Sequence, residues 1–401
     1  MTPWLSLVGL GEDGLEGLSP AARELVDQAE IVVGGARHLA LLGETRAQTM
    51  AWESPLKKTV ERLAELEGRK VCVLATGDPM AYGIGVTLMR RFGCEAVFVI
   101  PGISAFTLAC ARLGWPLAET VQLTLHGRPL ELLNSHLMPG QRLLILSEDA
   151  TTPAKVAMRL NEAGFGPSVM HVLCHMGGPH ERCLNGTAAA GIEGDVDDLN
   201  TLAVELVAES GTAVLARTPG LPDDAFEHDG QMTKREVRAA TLAALAPMPG
   251  QLLWDVGSGC GSVAIEWMRG ADRARAIAIE RHEERRAMTA RNAATLGVPT
   301  LQLIAGSAPE ALDGLEPPNA VFIGGGVTGE GVAQTCWDAL APGGRLVANA
   351  VTLESEHALF HLHERLGGEL VRLSIARAEP VGGLTGWRSL MPVTQWRIIK
   401  S

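Results

Sequence analysis

Residues 252–262 read Leu-Leu-Trp-Asp-Val-Gly-Ser-Gly-Cys-Gly-Ser, an apolar run that ends in a turn with three alternating glycines. The run predicts a buried strand, Leu252–Val256, and the glycines predict a tight turn before a helix. Gly257, Gly259 and Gly261 let a ligand come close to the backbone, because they have no Cβ in its way. The start of the following helix offers free amides to an anion. This stretch therefore predicts a Rossmann-like α/β domain with a ligand site at the end of its first strand.

An acidic residue follows this turn at a spacing that suits a nucleoside. Glu280 ends the next apolar run, 23 residues after Gly257, and a carboxylate there can accept hydrogen bonds from both ribose hydroxyls. The Gly-x-Gly-x-Gly spacing differs from the Gly-x-Gly-x-x-Gly turn of dinucleotide-binding proteins. The alternative is a Rossmann-like domain whose glycine turn binds NAD, or no ligand.

The rest of this half alternates apolar runs with helical segments, which predicts a mainly parallel sheet. A helix is expected to begin at Thr233, with Thr233 and Glu236 forming a capping box. The last two strands are expected to form an antiparallel hairpin. The predicted strands are Leu252–Val256, Ala276–Glu280, Leu301–Ile304, Ala320–Ile323, Arg345–Ala350, Leu370–Ala376 and Val393–Ile399.

Because of the glycine turn and Glu280, residues 231–401 resemble the seven-stranded S-adenosylmethionine methyltransferases. The segments Met-Thr-Lys-Arg-Glu-Val-Arg at 232–238 and Phe-Ile-Gly-Gly-Gly at 322–326 look like the decarboxylating subgroup of corrin biosynthesis. The resemblance implies that S-adenosylmethionine contacts Thr233, Asp255, Gly257, Ser258, Gly259, Cys260, Gly261, Glu280, Ser307 and Ala308.

The first half also alternates strands with helices such as Pro55–Leu66 and Thr152–Ala163. After about residue 175 the pattern changes to short strand-like pieces, which suggests an antiparallel element that closes the domain. The predicted strands are Leu5–Val8, Ile31–Val33, Val71–Ala75, Ala96–Ile100, Val121–Leu125, Leu143–Ser147, Val169–Leu173, Leu202–Val207 and Thr212–Ala216.

Three loops in this half each follow a predicted strand. They read Val-Gly-Leu-Gly-Glu-Asp-Gly at 8–14, Ala-Thr-Gly-Asp-Pro-Met-Ala-Tyr-Gly at 75–83 and Ile-Pro-Gly-Ile-Ser-Ala-Phe at 100–106. Ligands of open α/β sheets bind at the carboxyl ends of strands, so the three loops can share one crevice.

Together the loops resemble the tetrapyrrole methylase family, and the likeness covers nearly all of residues 1–216. Arg37-His38, the Leu-His-Gly-Arg stretch ending at Arg128 and the Ser-Glu-Asp-Ala-Thr-Thr-Pro stretch ending at Pro153 narrow it to enzymes acting on precorrin-6. The chain departs from the family pattern at Glu12, where a proline is usual, and at Ala105, where a serine is common. The resemblance implies that S-adenosylmethionine contacts Gly9, Gly11, Gly77, Asp78, Gly83, Gly102, Ser104 and Ala105.

Asp78 and Tyr82 are candidate catalytic residues of this half. Each has a structural alternative, because Asp78 can hold its own loop by backbone hydrogen bonds and Tyr82 can serve in packing. No other residue stands out as a general acid or base.

The sequence predicts three segments: a tetrapyrrole methylase domain at 1–216, a linker at 217–230 and a Rossmann-like seven-stranded methyltransferase domain at 231–401. The linker contains two prolines, two glycines and several acids without periodicity. Two such domains in one chain resemble the bifunctional methyltransferases of cobalamin biosynthesis.

This resemblance implies methylation of precorrin-6B at ring carbon 5 by the first domain. The second domain would methylate carbon 15 and remove CO2 from the acetate on carbon 12, giving precorrin-8X. Two molecules of S-adenosylmethionine per chain and a homo-oligomer are implied as well. The alternatives are the same reactions on a cobalt-containing ring, or one active domain joined to a non-catalytic substrate carrier. Since the ring carries many carboxylates, cationic clamps are expected, with Arg128, Lys234, Arg238 and Arg388 as candidates.

Charge and composition exclude some classes of protein. The formal net charge is −12, and its acidic excess lies before residue 231, so nucleic acid is not an expected partner. No apolar run approaches the roughly 20 residues that span a bilayer, and the first residues lack a signal-peptide pattern. We expect a cytoplasmic protein.

The cysteines and histidines indicate neither disulfides nor a metal site. Seven cysteines are scattered without a Cys-x-x-Cys pair, which favours reduced thiols. Residues 171–183 place His171, Cys174, His175, His180 and Cys183 close together, but their spacing fits no standard zinc pattern.

Overall fold

A computed structural model describes residues 3–401 and divides them into two compact units. The first unit comprises the described residues up to Leu130 together with Pro139–Thr212. The second comprises Glu131–Met138 and Ala213–Ser401. Both units are α/β, and the predicted fold class is confirmed.

The first unit begins with a five-stranded sheet in which all strands are parallel and whose order is β3-β2-β4-β1-β5. Its inner strands are almost completely buried, as expected for a parallel sheet covered on both faces. The order makes β1 a neighbour of both β4 and β5, so the loops after these three strands lie side by side. The strands are β1 (Leu5–Leu10), β2 (Ile31–Gly34), β3 (Gln48–Ala51), β4 (Val71–Thr76) and β5 (Val97–Ile100).

A six-stranded mixed sheet of order β10-β9-β8-β11-β7-β6 completes the first unit. Only β6 and β7 pair in parallel; the other neighbours are antiparallel, as the pattern after residue 175 indicates. The strands are β6 (Thr120–Thr124), β7 (Arg142–Leu146), β8 (Val169–Cys174), β9 (Arg182–Thr187), β10 (Gly191–Ile192) and β11 (Asn200–Glu205).

Six α-helices and short 3-10 segments connect these strands. The helices are α1 (Pro20–Asp27), α2 (Ala36–Leu42), α3 (Lys57–Ala64), α4 (Ile84–Phe92), α5 (Ala105–Leu113) and α6 (Thr152–Glu162), and the 3-10 segments are Gly14–Gly17, Leu117–Glu119 and Leu130–His136, the last of which runs into the second unit.

The second unit has a seven-stranded sheet of order β14-β13-β12-β15-β16-β20-β17, in which only β20 runs antiparallel to the other strands. The order reverses between β12 and β15, and such switch points are where open α/β sheets bind ligands. The strands are β12 (Leu252–Val256), β13 (Arg275–Glu280), β14 (Gln302–Ala305), β15 (Ala320–Ile323), β16 (Arg345–Ala350), β17 (Glu369–Leu373) and β20 (Val393–Ile399), with β18 (Ala376–Val381) and β19 (Leu384–Ser389) as a separate hairpin.

Helices cover both faces of this sheet. Successive strand residues point to opposite faces, so Leu253 packs into one buried apolar cluster while Leu252 and Trp254 pack into the other. The helices are α7 (Arg235–Leu245), α8 (Ser262–Gly270), α9 (Glu283–Thr295), α10 (Val332–Ala339) and α11 (Leu353–Leu366), with 3-10 turns at Asp223–Ala225 and Glu310–Leu312. No helix within residues 3–401 is both long and apolar enough to cross a membrane.

Two local predictions were wrong. Residues 212–216 contain no strand. The helix predicted to begin at Thr233 begins at Arg235 with Lys234 as its N-cap, and the Arg235 amide donates to Oδ1 of Asp223 at 2.9 Å. The Glu236 carboxylate accepts hydrogen bonds from Arg377 instead, because a long-range guanidinium outcompetes the local cap.

The segment 217–230 is part of the second unit and packs against the core of that unit. Its Gly220 and Leu221 amides donate to the Glu266 carboxylate at 2.6 and 3.0 Å, and Leu221 and Phe226 belong to the apolar core. Glu266 also accepts a hydrogen bond from Nε of Arg238 at 2.5 Å. The segment expected to be a linker is therefore held in place by a buried carboxylate and a buried guanidinium.

Replacing Glu266 with alanine should lower the free energy of unfolding of the second unit by about 3–5 kcal/mol, because the fully buried Arg238 guanidinium loses its nearer carboxylate and keeps only Asp223, at 3.3 Å. Urea denaturation followed by tryptophan fluorescence measures this loss, since Trp254 and Trp267 are buried in this unit. Glu316→Ala is the control: this carboxylate pairs with Arg275 but is more than half exposed. Its loss should cost less than about 1 kcal/mol, and equal losses for the two variants would contradict the structural role of Glu266.

Candidate functional site

The glycine turn of the second unit requires glycine at Gly257 for two reasons. This residue has a φ of +71°, where side chains are strained. A Cβ here would also lie 2.9 Å from the Gly325 carbonyl oxygen, which belongs to the loop after β15. The loops after β12 and β15 therefore approach each other at the switch point of the sheet.

Glu280, at the end of β13, holds the turn in place. Its Oε2 accepts a hydrogen bond from the Gly259 amide at 3.0 Å, and its Oε1 accepts one from the His282 amide at 2.9 Å. The side chain is almost fully buried. Because each carboxylate oxygen has two lone pairs, both can accept a further hydrogen bond from a ligand.

Asp255, the fourth residue of β12, is a buried acid behind the turn. Its Oδ2 accepts a hydrogen bond from the Ala264 amide at 3.0 Å, and burial raises the pKa of its carboxyl to about 7. Within residues 3–401, neither its Oδ1 nor the buried Oγ of Ser258 has a hydrogen-bond partner. Buried polar atoms without partners are rare, so this turn fits a polar ligand that supplies the missing hydrogen bonds.

A cavity of about 350 Å³ opens beside this turn. Its walls include four of the predicted cofactor residues: Gly257, Glu280, Ser307 and Ala308. Six others are not part of its lining: Thr233, Asp255, Ser258, Gly259, Cys260 and Gly261. Most of these lie within or behind the turn, where Gly261 is the N-cap of α8 and the Cys260 carbonyl accepts a hydrogen bond from Asn292.

Thr233 stands apart from the turn, and its carbonyl accepts a hydrogen bond from Nη1 of Arg238. The cavity wall also contains three cationic or titratable residues that were not predicted, Arg281, His282 and Arg285. Only their position in the sequence could have indicated them, because they lie one, two and five residues after the acid that ends β13.

The candidate substrate clamps of this unit have different surroundings. Arg238 is fully buried and all three of its nitrogens donate within the protein, to Glu266, to the Thr233 carbonyl and to the Leu221 carbonyl. The expectation that it clamps substrate is therefore corrected: it positions the 217–236 segment. Arg388 is exposed and pairs with Glu379 at 3.1 Å, and Lys234 is partly buried at the start of α7.

In the first unit the three glycine loops meet at the carboxyl ends of β1, β4 and β5. The Gly77 amide donates to the Leu10 carbonyl, and the Gly102 amide donates to the Gly77 carbonyl, each at 3.0 Å. A Cβ on Gly9 would lie 1.9 Å from the Gly77 carbonyl oxygen and 2.2 Å from the Gly102 nitrogen. This contact needs glycine, and it confirms that the loops share one crevice.

The other predicted residues of these loops shape the backbone. Asp78 accepts a hydrogen bond from the Met80 amide at 2.8 Å, the turn arrangement that was its structural alternative. Gly83 is the N-cap of α4, where a Cβ would lie 2.6 Å from the Pro79 carbonyl oxygen. Ser104 caps α5 through the Thr107 amide. These residues hold the crevice rather than line it.

Tyr82 and Arg128 lie together on the surface of the first unit. The Tyr82 hydroxyl donates to the Gln122 carbonyl at 3.0 Å, and the Arg128 guanidinium lies 5.6 Å from the centre of its ring. Tyr82 has a φ of +59°, a strained value for an aromatic residue. Half of its surface is exposed, which makes packing alone a poor explanation for the strain.

A small cavity of about 60 Å³ lies in the crevice of the first unit. Three of the predicted cofactor residues, Gly11, Gly77 and Ala105, line this cavity, together with Glu12 and His175, which were not among the predicted site residues. The sequence could have indicated Glu12, because this residue replaces the proline that is usual in the tetrapyrrole methylase family. His175 had been considered only as part of a metal-like cluster.

The histidines and cysteines of 171–183 do not converge. Nδ1 of His171 lies 2.6 Å from Oδ1 of Asn185, and Cys174 is buried whereas Cys183 is exposed. Within residues 3–401, no three His, Cys, Asp or Glu side chains are placed to hold one metal ion.

Comparison with known proteins assigns a family to both halves. A family model described as Tetrapyrrole (Corrin/Porphyrin) Methylases matches residues 5–190, and one described as Precorrin methyltransferase domain matches residues 224–400. A Sinorhizobium sp. protein named precorrin-6Y C(5,15)-methyltransferase (decarboxylating) is 47% identical over 397 residues, which are 99% of this chain and 96% of that protein.

Two shorter relatives each match less than half of the chain. A Salmonella typhimurium protein named cobalt-precorrin-7 C(5)-methyltransferase is 32% identical over 168 residues, which are 41% of this chain and 82% of that protein. A Pyrobaculum calidifontis protein named "Probable cobalt-precorrin-6B C(15)-methyltransferase (decarboxylating)" is 36% identical over 183 residues, which are 44% of this chain and 93% of that protein.

The two α/β units with glycine loops at their strand ends, together with these matches, define an S-adenosylmethionine-dependent C-methyltransferase of the tetrapyrrole pathway. More narrowly, the chain belongs to the family of precorrin-6Y C(5,15)-methyltransferases (decarboxylating).

The raised pKa of Asp255 should make stability depend on pH. The folded protein holds this proton up to about pH 7, whereas an unfolded Asp releases it near its ordinary pKa of 3.8. The folded state therefore binds more protons between these two values, and stability should fall as pH rises through this window. In Asp255→Asn the amide oxygen can still accept from Ala264, and this contribution disappears.

Melting temperatures between pH 4 and pH 8 test this expectation. The wild-type melting temperature should fall more steeply with pH than that of Asp255→Asn, and parallel curves would show that Asp255 is ionised throughout. Asp313→Asn, at the end of an exposed 3-10 turn of the same unit, is the matched control.

Proposed function

We propose that this enzyme binds one S-adenosylmethionine in each unit and adds two methyl groups to precorrin-6B. The first unit would methylate ring carbon 5. The second would methylate carbon 15 and remove CO2 from the acetate on carbon 12, giving precorrin-8X. The observation that carries the proposal is the pair of glycine-lined crevices, one at the strand ends of each unit, in a chain that matches a bifunctional relative over almost its whole length.

In the second unit, Glu280 is suited to bind the cofactor ribose. Both carboxylate oxygens are already oriented by backbone amides, so hydroxyls could bind without reorganising the side chain. Ser307 and Ala308 form the neighbouring wall, where an adenine could lie. The partnerless Oδ1 of Asp255 and Oγ of Ser258 support a polar ligand at the turn.

In the first unit, the crevice formed by Gly9, Gly77 and Gly102 supports a second cofactor site. The three loops touch through backbone atoms, which leaves peptide groups, rather than side chains, to face a ligand. The similarity of separate C(5)- and C(15)-methyltransferases to parts of this chain supports one methylation in each unit.

When bound, S-adenosylmethionine would supply an electrophilic methyl group, which a nucleophilic ring carbon would attack in line while the neutral thioether leaves. The protein needs to align the two reactants, and alignment alone can contribute about 7–11 kcal/mol to lowering a barrier. The buried turns and paired loops form rigid walls that suit this task. Loss of CO2 leaves an electron pair that the conjugated ring can accept. Decarboxylation therefore does not require a separate electron sink in the protein.

A cobalt-containing ring is the second candidate substrate. The names of the two shorter relatives include cobalt, whereas the name of the full-length relative does not. The near-complete match to the full-length relative favours the metal-free ring.

The reaction can be tested by incubating the full chain with S-adenosylmethionine and metal-free precorrin-6B and measuring the product mass. The product should have gained two methyl groups and lost one CO2. The cobalt form of the ring is the parallel sample. Reaction of the cobalt ring alone would favour the second candidate, and no reaction with either ring would contradict the proposed substrate class.

The number of cofactor sites can be counted by calorimetric titration with S-adenosylmethionine. The wild-type chain should bind two equivalents. Glu280→Gln should weaken one of them by about 10- to 100-fold, because a hydrogen bond to a charged group is worth about 1.5–3 kcal/mol. Gly9→Ala should weaken the other, because its Cβ would collide with the Gly77 carbonyl.

Glu284→Gln is the matched control, since this residue is exposed at the start of α9 and should leave both equivalents intact. One equivalent in the wild-type chain, or loss of both equivalents in either single variant, would contradict two independent sites.

A further inference from the structure

His175 occupies a strained position in the crevice of the first unit. It follows β8 directly and has a φ of +47°, in the left-handed region that is strained for a residue with a Cβ. The Gly178 amide donates to the His175 carbonyl at 3.1 Å, closing a tight turn. A Cβ on Gly178 would lie 2.6 Å from Cβ of Glu12, so the turn packs directly against the first glycine loop. Such strain concentrates at functional sites.

Glu12 fixes the orientation of the His175 ring. Its Oε2 lies 2.7 Å from Nδ1 of His175, and its Oε1 accepts a hydrogen bond from Arg37. Nη2 of Arg37 donates in turn to Oγ1 of Thr76 at 2.7 Å. Because a carboxylate only accepts hydrogen bonds, Nδ1 must carry the proton. In the neutral ring, Nε2 is then the nitrogen with a free lone pair.

The surroundings of Nε2 suit a group that gains a proton. Oδ2 of Asp197 lies 3.7 Å from Nε2, too far for a hydrogen bond but close enough to stabilise a positive ring. Arg182 holds Asp197 in place through Nε at 3.0 Å and Nη2 at 2.7 Å. The other charged or titratable groups near the ring are Glu12, Arg37 and His180, whose ring centre lies 6.3 Å away.

His175 shares its cavity with the loops that form the candidate cofactor site. Glu12, Thr76, Gly77 and Gly11 line the same cavity, so the imidazole lies within the crevice rather than on the outer surface. Its side chain is about one-quarter exposed, which leaves it accessible to a ligand.

The other titratable groups of this crevice are less suited to accept a proton. Burial and the adjacent Arg37 lower the pKa of His38 to about 4, and its Nδ1 already accepts from the Gly35 amide. Asp78 is occupied by its own loop, and the Tyr82 hydroxyl by the Gln122 carbonyl.

We propose that Nε2 of His175 accepts the proton that the tetrapyrrole loses when the first unit methylates it, with Glu12 as the positioning residue. This inference rests on the proposed function. A ring carbon supplies the electron pair of the new C–C bond, and the electron pair of the broken S–CH3 bond stays on sulfur. The ring has then gained one positive charge, and transfer of an N–H or C–H proton to Nε2 makes it neutral again. Water takes the proton from the imidazolium after product release.

His175→Asn in the full-length chain is the primary test. Asparagine tolerates the left-handed backbone, and its amide can still donate to Glu12, so the fold should be preserved. Product formation with 13C-methyl-labelled S-adenosylmethionine distinguishes the two methylated carbons by NMR. Methylation at carbon 5 should slow by at least about 100-fold, the usual lower bound for loss of a general base. Methylation at carbon 15 and CO2 loss serve as internal controls.

His171→Asn is the matched control. This residue lies on β8, four residues before His175, its ring contacts Asn185, and it is not part of the cavity lining. It should methylate both carbons at the wild-type rate. If wild-type chain methylates neither carbon, the proposed function fails; if His175→Asn methylates carbon 5 as fast as wild type, only the role of His175 fails.

Chemical rescue and pH dependence separate proton transfer from a structural role. His175→Gly suits the same backbone conformation, and added imidazole should restore most of the lost carbon-5 methylation, together with any later step that depends on it. The pH profile of the single-turnover rate at carbon 5 should differ between wild type and His175→Asn, because only wild type has the imidazole.

Glu12→Gln should slow methylation at carbon 5, because removing the carboxylate destabilises the charged ring that the proton transfer forms. A slow His175→Gly variant that imidazole does not rescue, or an unchanged pH profile in His175→Asn, would overturn the proposal.

Discussion

The close approach of backbone segments at the strand ends is the constraint on which both candidate sites depend. In the second unit a Cβ on Gly257 would lie 2.9 Å from the Gly325 carbonyl oxygen, and in the first unit a Cβ on Gly9 would lie 1.9 Å from the Gly77 carbonyl oxygen. Because only glycine permits such contacts, the loops can press together and present peptide groups to a ligand. The two folds differ, yet each builds its crevice in this way, at a point where strand order brings separate loops together.

Charges that are buried in the second unit and partly buried in the first hold the segments around these crevices. In the second unit, Glu280 ties the glycine turn to the start of the next loop, and Glu266 with Arg238 anchors the segment that precedes the first helix. In the first unit, Glu12 joins Arg37 to His175. Buried ions of this kind are stable only when their hydrogen bonds are complete. Asp255 is the exception, since burial raises the pKa of its carboxyl and one oxygen has no partner within residues 3–401.

The sequence predicted well those features that depend on neighbouring residues. The strand Leu252–Val256 was predicted with the bounds that the structure has. A short run of buried residues that ends at a glycine turn is typical of a buried strand and too short for a helix. Residues 212–216 were predicted as a strand and are irregular, since a short β-rich stretch becomes a strand only if a neighbour pairs with it. The prediction of a capping box at Thr233 was wrong, because Glu236 pairs with Arg377, which lies 141 residues after Glu236.

The sequence by itself determined the class of this protein: two different α/β folds, the glycine loops at their strand ends, and the acid that ends β13. These are local patterns, in which strand, turn and helix follow one another in the chain. Only the tertiary structure decided what the charged side chains do. It buried Arg238, a candidate clamp, among its own partners. It also brought Glu12 within hydrogen-bond distance of His175, 163 residues away. The reason is physical: the role of a charged group depends on its burial and on its partners, and both are set by chain segments far apart in sequence.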